Sequence, residues 1–241
     1  MRIYFHLSHR DDPNIIRYIM NGFSGPVATL LYKFHISANA VTIFRGLLVL
    51  YGLYCFSTGE YIFYLQGAII IVLNVFLDCV DGDLARLQNN ETELGEWLEG
   101  ITGHILSQIH SLTGFFIALG IYRQTNAVEV WYILFFILYG YIMNDVLKDF
   151  SFHQTGAVES MKQGFQSEYD KINQISFFKR AYFTLLSVNE YIILLCVIFY
   201  KPLYQITGIN PLLTALFIIC LIYQIRWLIR AAIQVKYFLA K

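Results

Sequence analysis

Hydrophobic positions along this chain fall in long blocks, separated by short polar gaps. Apolar runs of about 20 residues recur at roughly 38–57, 61–82, 97–120, 128–147, 182–204 and 211–233, each long enough to cross a bilayer as a helix. The pattern predicts an all-α, polytopic membrane protein with six transmembrane helices over residues 38–241. Residues 1–37 form a separate N-terminal cytosolic or interfacial segment. Within it, Asp11-Asp12-Pro13 reads as a helix start, with Pro13 at the first helical position. The amphipathic stretch that follows, to about Lys33, is expected to lie on the membrane surface and to break near Gly25-Pro26. The longest polar stretch runs from Lys148 to Arg180, and residues 157–175 within it are expected as a helix or loop on the surface. No internal repeat or low-complexity tract is visible.

Composition agrees with the pattern. The chain of 241 residues is 57% hydrophobic, 17% aromatic and 14% charged, with a mean hydropathy of +0.52, too apolar for a soluble domain of this size. Seventeen basic residues balance seventeen acidic ones, so the clustered basic excess that nucleic-acid binding needs is missing. Cys55, Cys79, Cys196 and Cys220 all lie in apolar runs and are expected as free thiols, without disulfide or zinc spacing. The first residues lack the charged segment, short apolar core and cleavage site of a signal peptide.

Charge in the gaps adds an orientation. Arg2, Arg10, Arg17 and Lys33 precede the first span, Arg86 follows the second, Lys148, Lys162, Lys171, Lys179 and Arg180 follow the fourth, and Lys236 and Lys241 follow the sixth. The other side has Arg123 and Lys201. The positive-inside rule places both termini, and the polar motif between spans two and three, at the cytosolic face.

That motif carries the chemistry. Ionisable groups inside or at the end of a membrane helix are costly unless they pair, face water or bind an ion. Asp78, Asp81, Gly82 and Ala85 stand three, four and seven apart, so a helix presents both carboxylates on one face beside two small residues. Gly95, Glu99 and Gly103 repeat the spacing four apart. Acids converging from two helices make an oxygen-rich site of the kind Mg²⁺ or Mn²⁺ prefers.

The spacing Asp78-x2-Asp81-Gly82-x2-Ala85-Arg86-x8-Gly95-x3-Glu99-x3-Gly103 resembles the signature of the CDP-alcohol phosphotransferase family, D-x2-D-G-x2-A-R-x8-G-x3-D-x3-D. Two positions depart from it: Glu99 stands for the third Asp, and Gly103 for the fourth, which is usually proposed as the general base. His35 to Arg45 also resembles the family's Pro-Asn-x-(hydrophobic)-Thr-x-x-Arg entry to its first membrane helix, with Asn39, Thr42 and Arg45 in place and Ala38 for the Pro. Ser37 as a simple helix cap is the alternative there. A cation such as Arg45 inside a span calls for an anionic partner.

The resemblance implies a membrane transferase. A CDP-linked donor would be held by one or two Mg²⁺ or Mn²⁺ ions on Asp78, Asp81 and Glu99, an alcohol would attack the β-phosphorus, and CMP would leave. Asn39, Thr42, Gly82, Ala85, Arg86 and Gly95 are the expected donor-binding residues beside Asp78, and Arg86 would hold the acids or meet a phosphate oxygen. Lys148, Lys179 and Arg180 emerge on the same side and are candidates for the acceptor's phosphate or phosphonate. A homodimer, membrane-lipid substrates and a place in phospholipid or glycoconjugate synthesis are also implied.

Gly103 can neither ligate nor accept a proton. Glu96 shares its helix face but lies about 10.5 Å away along the axis, and His104 points about 100° around it. Metal-bound water, the acceptor's phosphate, Asp145 or Glu190 remain as bases. The alternative is a catalytically impaired member that binds metal and nucleotide as a partner or regulator. Asp145 and Glu190 are otherwise expected to pair with Arg226, Arg230 or Lys148. His104 and His110 read as hydrogen-bonded core residues, and Trp97, Trp131 and Trp227 as interfacial. A transporter, the competing class, would show repeats and broken helices, and the sequence displays neither.

Overall fold

The computed structural model describes residues 15–89, 92–155 and 189–239. Among them every regular element is helical: α1 (Ile15–Lys33), α2 (Ala38–Ser57), α3 (Tyr61–Gln88), α4 (Glu93–Gly100), a π-helical turn (Ile101–Leu106), α5 (Leu112–Thr125), α6 (Glu129–Thr155), α7 (Asn189–Ile198), α8 (Tyr200–Thr207) and α9 (Pro211–Leu239). Four described segments are long and apolar enough to cross a membrane: Ala38–Ser57, Tyr61–Gln88, Glu129–Leu147 and Pro211–Ala232. Many large apolar side chains on them are exposed, among them Phe44, Leu47, Phe135 and Ile225, as suits helices solvated by acyl chains.

The remaining two expected spans are interrupted. The run expected at 97–120 divides into α4, the π-helical turn and α5. Gly114 explains the break: a Cβ there would stand 1.8 Å from the Ile109 carbonyl oxygen, so the chain folds back on itself where only glycine fits. The run expected at 182–204 is described from Asn189 onward and bends by 79° between α7 and α8. Pro202 is the third residue of α8. Its missing N–H cannot continue the ladder of α7, while the first turn of a new helix tolerates it. The sequence displayed neither break.

Packing centres on α3. Phe56, Tyr64, Ile71, Ile117, Ile121, Ile193, Leu216 and Ile219 belong to the main apolar core, which draws on α2, α3, α5, α7 and α9. At Gly120 a Cβ would lie 1.9 Å from the Phe56 carbonyl oxygen, so α5 crosses the end of α2 at backbone contact. Arg123 Nη1 donates to the Ser57 carbonyl there at 2.7 Å. All four cysteines are free.

A smaller cluster lies at the other end of α3. Ala28, Ala38, Val41, Val80 and Leu84 form it, with Val27, Leu31 and Ala85 against them. It fastens α1 along α3, and α1 continues through Pro26, where a break was expected. The proline ring faces outward, Thr29 Oγ1 donates to the Gly25 carbonyl at 2.8 Å, and the helix is held to α3 by Ser24 on Asp83 before the proline and by Val27, Ala28 and Leu31 after it.

Candidate functional site

The two aspartates lie in the C-terminal half of α3, on the face turned toward α1 and α2. Asp81 is 7% exposed. Its Oδ2 accepts from Thr42 Oγ1 at 2.9 Å and lies 3.4 Å from Arg45 Nη1. Asp78 is paired on both oxygens: Arg45 donates to Oδ1 and Arg17 to Oδ2. Arg45 therefore has the anionic partners its position demanded. Its side chain is 1% exposed, and its Nε and Nη2 are buried without an acceptor. Asn74, one turn before Asp78, has a buried Oδ1 without a donor. Buried polar atoms are rarely left unpaired, so this face of α3 and α2 retains hydrogen-bonding capacity that the protein itself does not use.

Gly82 is covered by a guanidinium: the nearest atom to a Cβ placed there is Arg86 Nη2 at 3.6 Å. Arg86 donates to Asp83 Oδ1 at 2.7 Å, so the motif arginine meets the acid three residues before it. Asp83 is itself buried and accepts from Ser24 Oγ of α1 at 2.5 Å. Ala85 packs into the small apolar cluster.

Across from α3, Thr92 caps α4 by accepting from Gly95 N–H at 3.0 Å. Asn39 Nδ2 donates to Thr92 Oγ1 at 3.4 Å, and a Cβ on Gly95 would stand 2.9 Å from Asn39 Oδ1. Gly95 thus lets α4 close on the start of α2. Gln88 ties the end of α3 to the same point, accepting from Ala38 N–H and donating to the Ile36 carbonyl.

Glu99 is exposed on α4. Its charge acts on Asp81, yet among the described residues no three His, Cys, Asp or Glu side chains stand together as a metal cluster. The expected trio of Asp78, Asp81 and Glu99 is therefore not assembled in this conformation, because α4 is a short separate helix and not the start of a continuous span. Two carboxylates still fit Mg²⁺, which commonly takes one or two from the protein and the rest of its shell from substrate phosphates and water.

Gly103 sits in the π-helical turn, and a Cβ there would meet nothing within 4 Å. The neighbouring Thr102 packs on Gly46 of α2, one turn beyond Thr42. Lys179 and Arg180 lie outside the described residues, as do residues 157–175, and of Lys148 only its place in α6 is described.

Other expectations are met unevenly. Among the described residues neither Asp145 nor Glu190 forms an ion pair with Arg226 or Arg230. Arg230 donates instead to the Asn144 carbonyl at 2.8 Å, a backbone acceptor the sequence cannot reveal. His110 stacks on Tyr141 at 3.5 Å between ring centroids, with Nδ1 3.3 Å from the Tyr223 hydroxyl. His104 is exposed. Arg17, Ser24, Asp83 and Gln88 are the site residues that sequence reasoning missed.

A helical integral membrane protein with one buried and one half-buried carboxylate compensated by arginines is the class that fold and site define. Residues 35–222 match the profile of the CDP-alcohol phosphatidyltransferase family, and the chain belongs to that family. The family is one of membrane transferases that use CDP-linked alcohols, generally with a divalent metal. The chain is 35% identical over 85 residues to the inner membrane protein YnbA of Escherichia coli (strain K12), covering 35% of this chain and 42% of that protein. It is 27% identical over 116 residues to an uncharacterized protein of Aquifex aeolicus (strain VF5), covering 46% of this chain and 53% of that protein. The alignments thus span about half the length of these relatives or less.

Proposed function

We propose that this chain transfers a substituted phosphate from a CDP-linked donor to an alcohol and releases CMP, using a divalent cation held by Asp78 and Asp81. The observation that carries the reading is the acidic pair on α3, Asp81 buried and Asp78 half-buried, hydrogen-bonded by Thr42 and Arg45 and flanked by Gly82 and Arg86. Mg²⁺ or Mn²⁺ supplies charge neutralisation at the phosphoryl oxygens when bound. Thr42 and Arg45 fix the orientation of the two carboxylates. The unused donors of Arg45 and the guanidinium of Arg86 offer hydrogen bonds to the donor's phosphate oxygens, with Arg86's planar fork suited to them. Asn39 and Gly95 set the distance between α4 and α2, and Glu99 on α4 would be a further ligand to the cation.

In the transfer the alcohol oxygen bonds to the β-phosphorus as the bond from that phosphorus to the CMP oxygen breaks. Water or the acceptor's own phosphate takes the alcohol proton, since Gly103 has no side chain to receive it. The reading includes six membrane crossings with the broken third segment and the bent α7–α8 pair crossing as well, an N-terminal helix at the interface, and the site at the cytosolic face. Lys148, Lys179 and Arg180 serve the acceptor, at least one substrate is a lipid, and the protein is a homodimer. Metal-dependent CMP release from a panel of CDP-linked donors tests the reading, with Asp81→Asn as the inactive control. A folded protein that releases no CMP with any donor, with Mg²⁺ or Mn²⁺, refutes it.

A second reading is supported by Gly103 and by the arginines on Asp78. In it the chain binds cation and nucleotide without turnover and acts as a partner or regulator of an active relative.

A further inference from the structure

We propose that Arg17 is an internal counter-ion that competes with the divalent cation for Asp78, so that its guanidinium leaves this carboxylate when the cation binds. The inference rests on the cation reading above and adds a residue, and a helix, that the family signature does not contain. Asp78 divides its two oxygens between two arginines that differ in kind. Arg45 holds Oδ1 from the middle of α2 and is 1% exposed, whereas Arg17 holds Oδ2 from the first turns of α1 and is 43% exposed. A cation held by Asp78 and Asp81 would compete with the guanidinium on Oδ2, because the two positive groups repel and draw on the same carboxylate lone pairs. The buried arginine cannot withdraw without leaving its charge stranded among apolar helices. The half-exposed one can.

Arg17 also has somewhere to go, since a side chain 43% exposed can turn its guanidinium toward solvent. Tyr191 of α7 touches α1 through Met20 Sδ at 3.7 Å. Release of Arg17 does not require α1 to detach. Ser24 on Asp83 and the packing of Val27, Ala28 and Leu31 against α3 hold the helix independently.

The test is a titration of the detergent-solubilised full chain with Mn²⁺ alone, reading free Mn²⁺ by its paramagnetic resonance signal. Removing one half-exposed ion pair is expected to tighten Mn²⁺ binding about two- to fivefold in Arg17→Gln, while Arg17→Lys, which keeps the charge, stays nearer the native affinity. Asp78→Asn abolishes the difference between the glutamine variant and the native chain. Monodisperse elution and an unchanged melting temperature in Arg17→Lys guard against a folding effect. Equal Mn²⁺ affinity in native and Arg17→Gln proteins, or weaker binding in the variant, overturns the role of Arg17 and leaves the cation reading standing. No Mn²⁺ binding by either protein overturns both.

Discussion

Placing an aspartate at residue 103 separates an active transferase from an impaired one. The position accepts a side chain, since a Cβ there meets nothing within 4 Å. Replacing glycine by aspartate in a helix is favourable by about 0.3 kcal/mol or more. The opposing term is charge: two carboxylates about 10 Å apart at an effective dielectric of about 20 repel by about 1.7 kcal/mol, a figure the neighbouring arginines reduce. A correctly placed general base is worth about 10²- to 10⁴-fold, or roughly 2.7–5.4 kcal/mol of barrier. The gain therefore exceeds the cost wherever residue 103 faces the acceptor hydroxyl. Initial rates of CMP release from purified native and Gly103→Asp proteins, in the same detergent and with Mn²⁺ or Mg²⁺, measure it. A rise of about 10²-fold or more marks the native chain as a member that has lost its base. A folded Gly103→Asp protein working at the native rate refutes the argument, because the proton would then already have another acceptor.

Three further outcomes follow from contacts in the same region. Arg45→Met leaves two carboxylates one turn apart without their buried partner, and is expected to lower stability by about 3–5 kcal/mol; thermal unfolding in detergent reads this, with Arg45→Met combined with Asp81→Asn recovering part of the loss. Gly95→Ala puts a methyl against Asn39 Oδ1 and should swing that amide away from Thr92, weakening nucleotide binding several-fold with little change in melting temperature; an unchanged nucleotide affinity removes Asn39 from the site. Gly120→Ala forces the Phe56 carbonyl oxygen and α5 apart and is expected to cost about 1–3 kcal/mol of stability as overpacking, while CMP release per folded molecule stays constant.

The sequence by itself determined the helical membrane class, the location of the acidic motif and the need of Arg45 for an anion, because these follow from run length, spacing and the cost of charge in an apolar layer. Asp78, Asp81 and Gly95 could be named from their spacing, Thr42 and Asn39 from the family resemblance, and each lies where α2, α3 and α4 meet. Local spacing could not say which cation faces which acid across helices. Arg17 and Ser24 are 61 and 59 residues away from their partners, and nothing in an amphipathic stretch marks which of its polar residues turns inward. The same limit hid the break at Ile109–Gly114 and the pairing of Arg86 with Asp83. A glycine signals room without saying what fills it, and a buried acid takes whichever donor the packing of α1 against α3 brings within reach. Tertiary structure decided these points because a hydrogen bond between helices depends on how they pack, and their packing is set by apolar contacts distant in the chain.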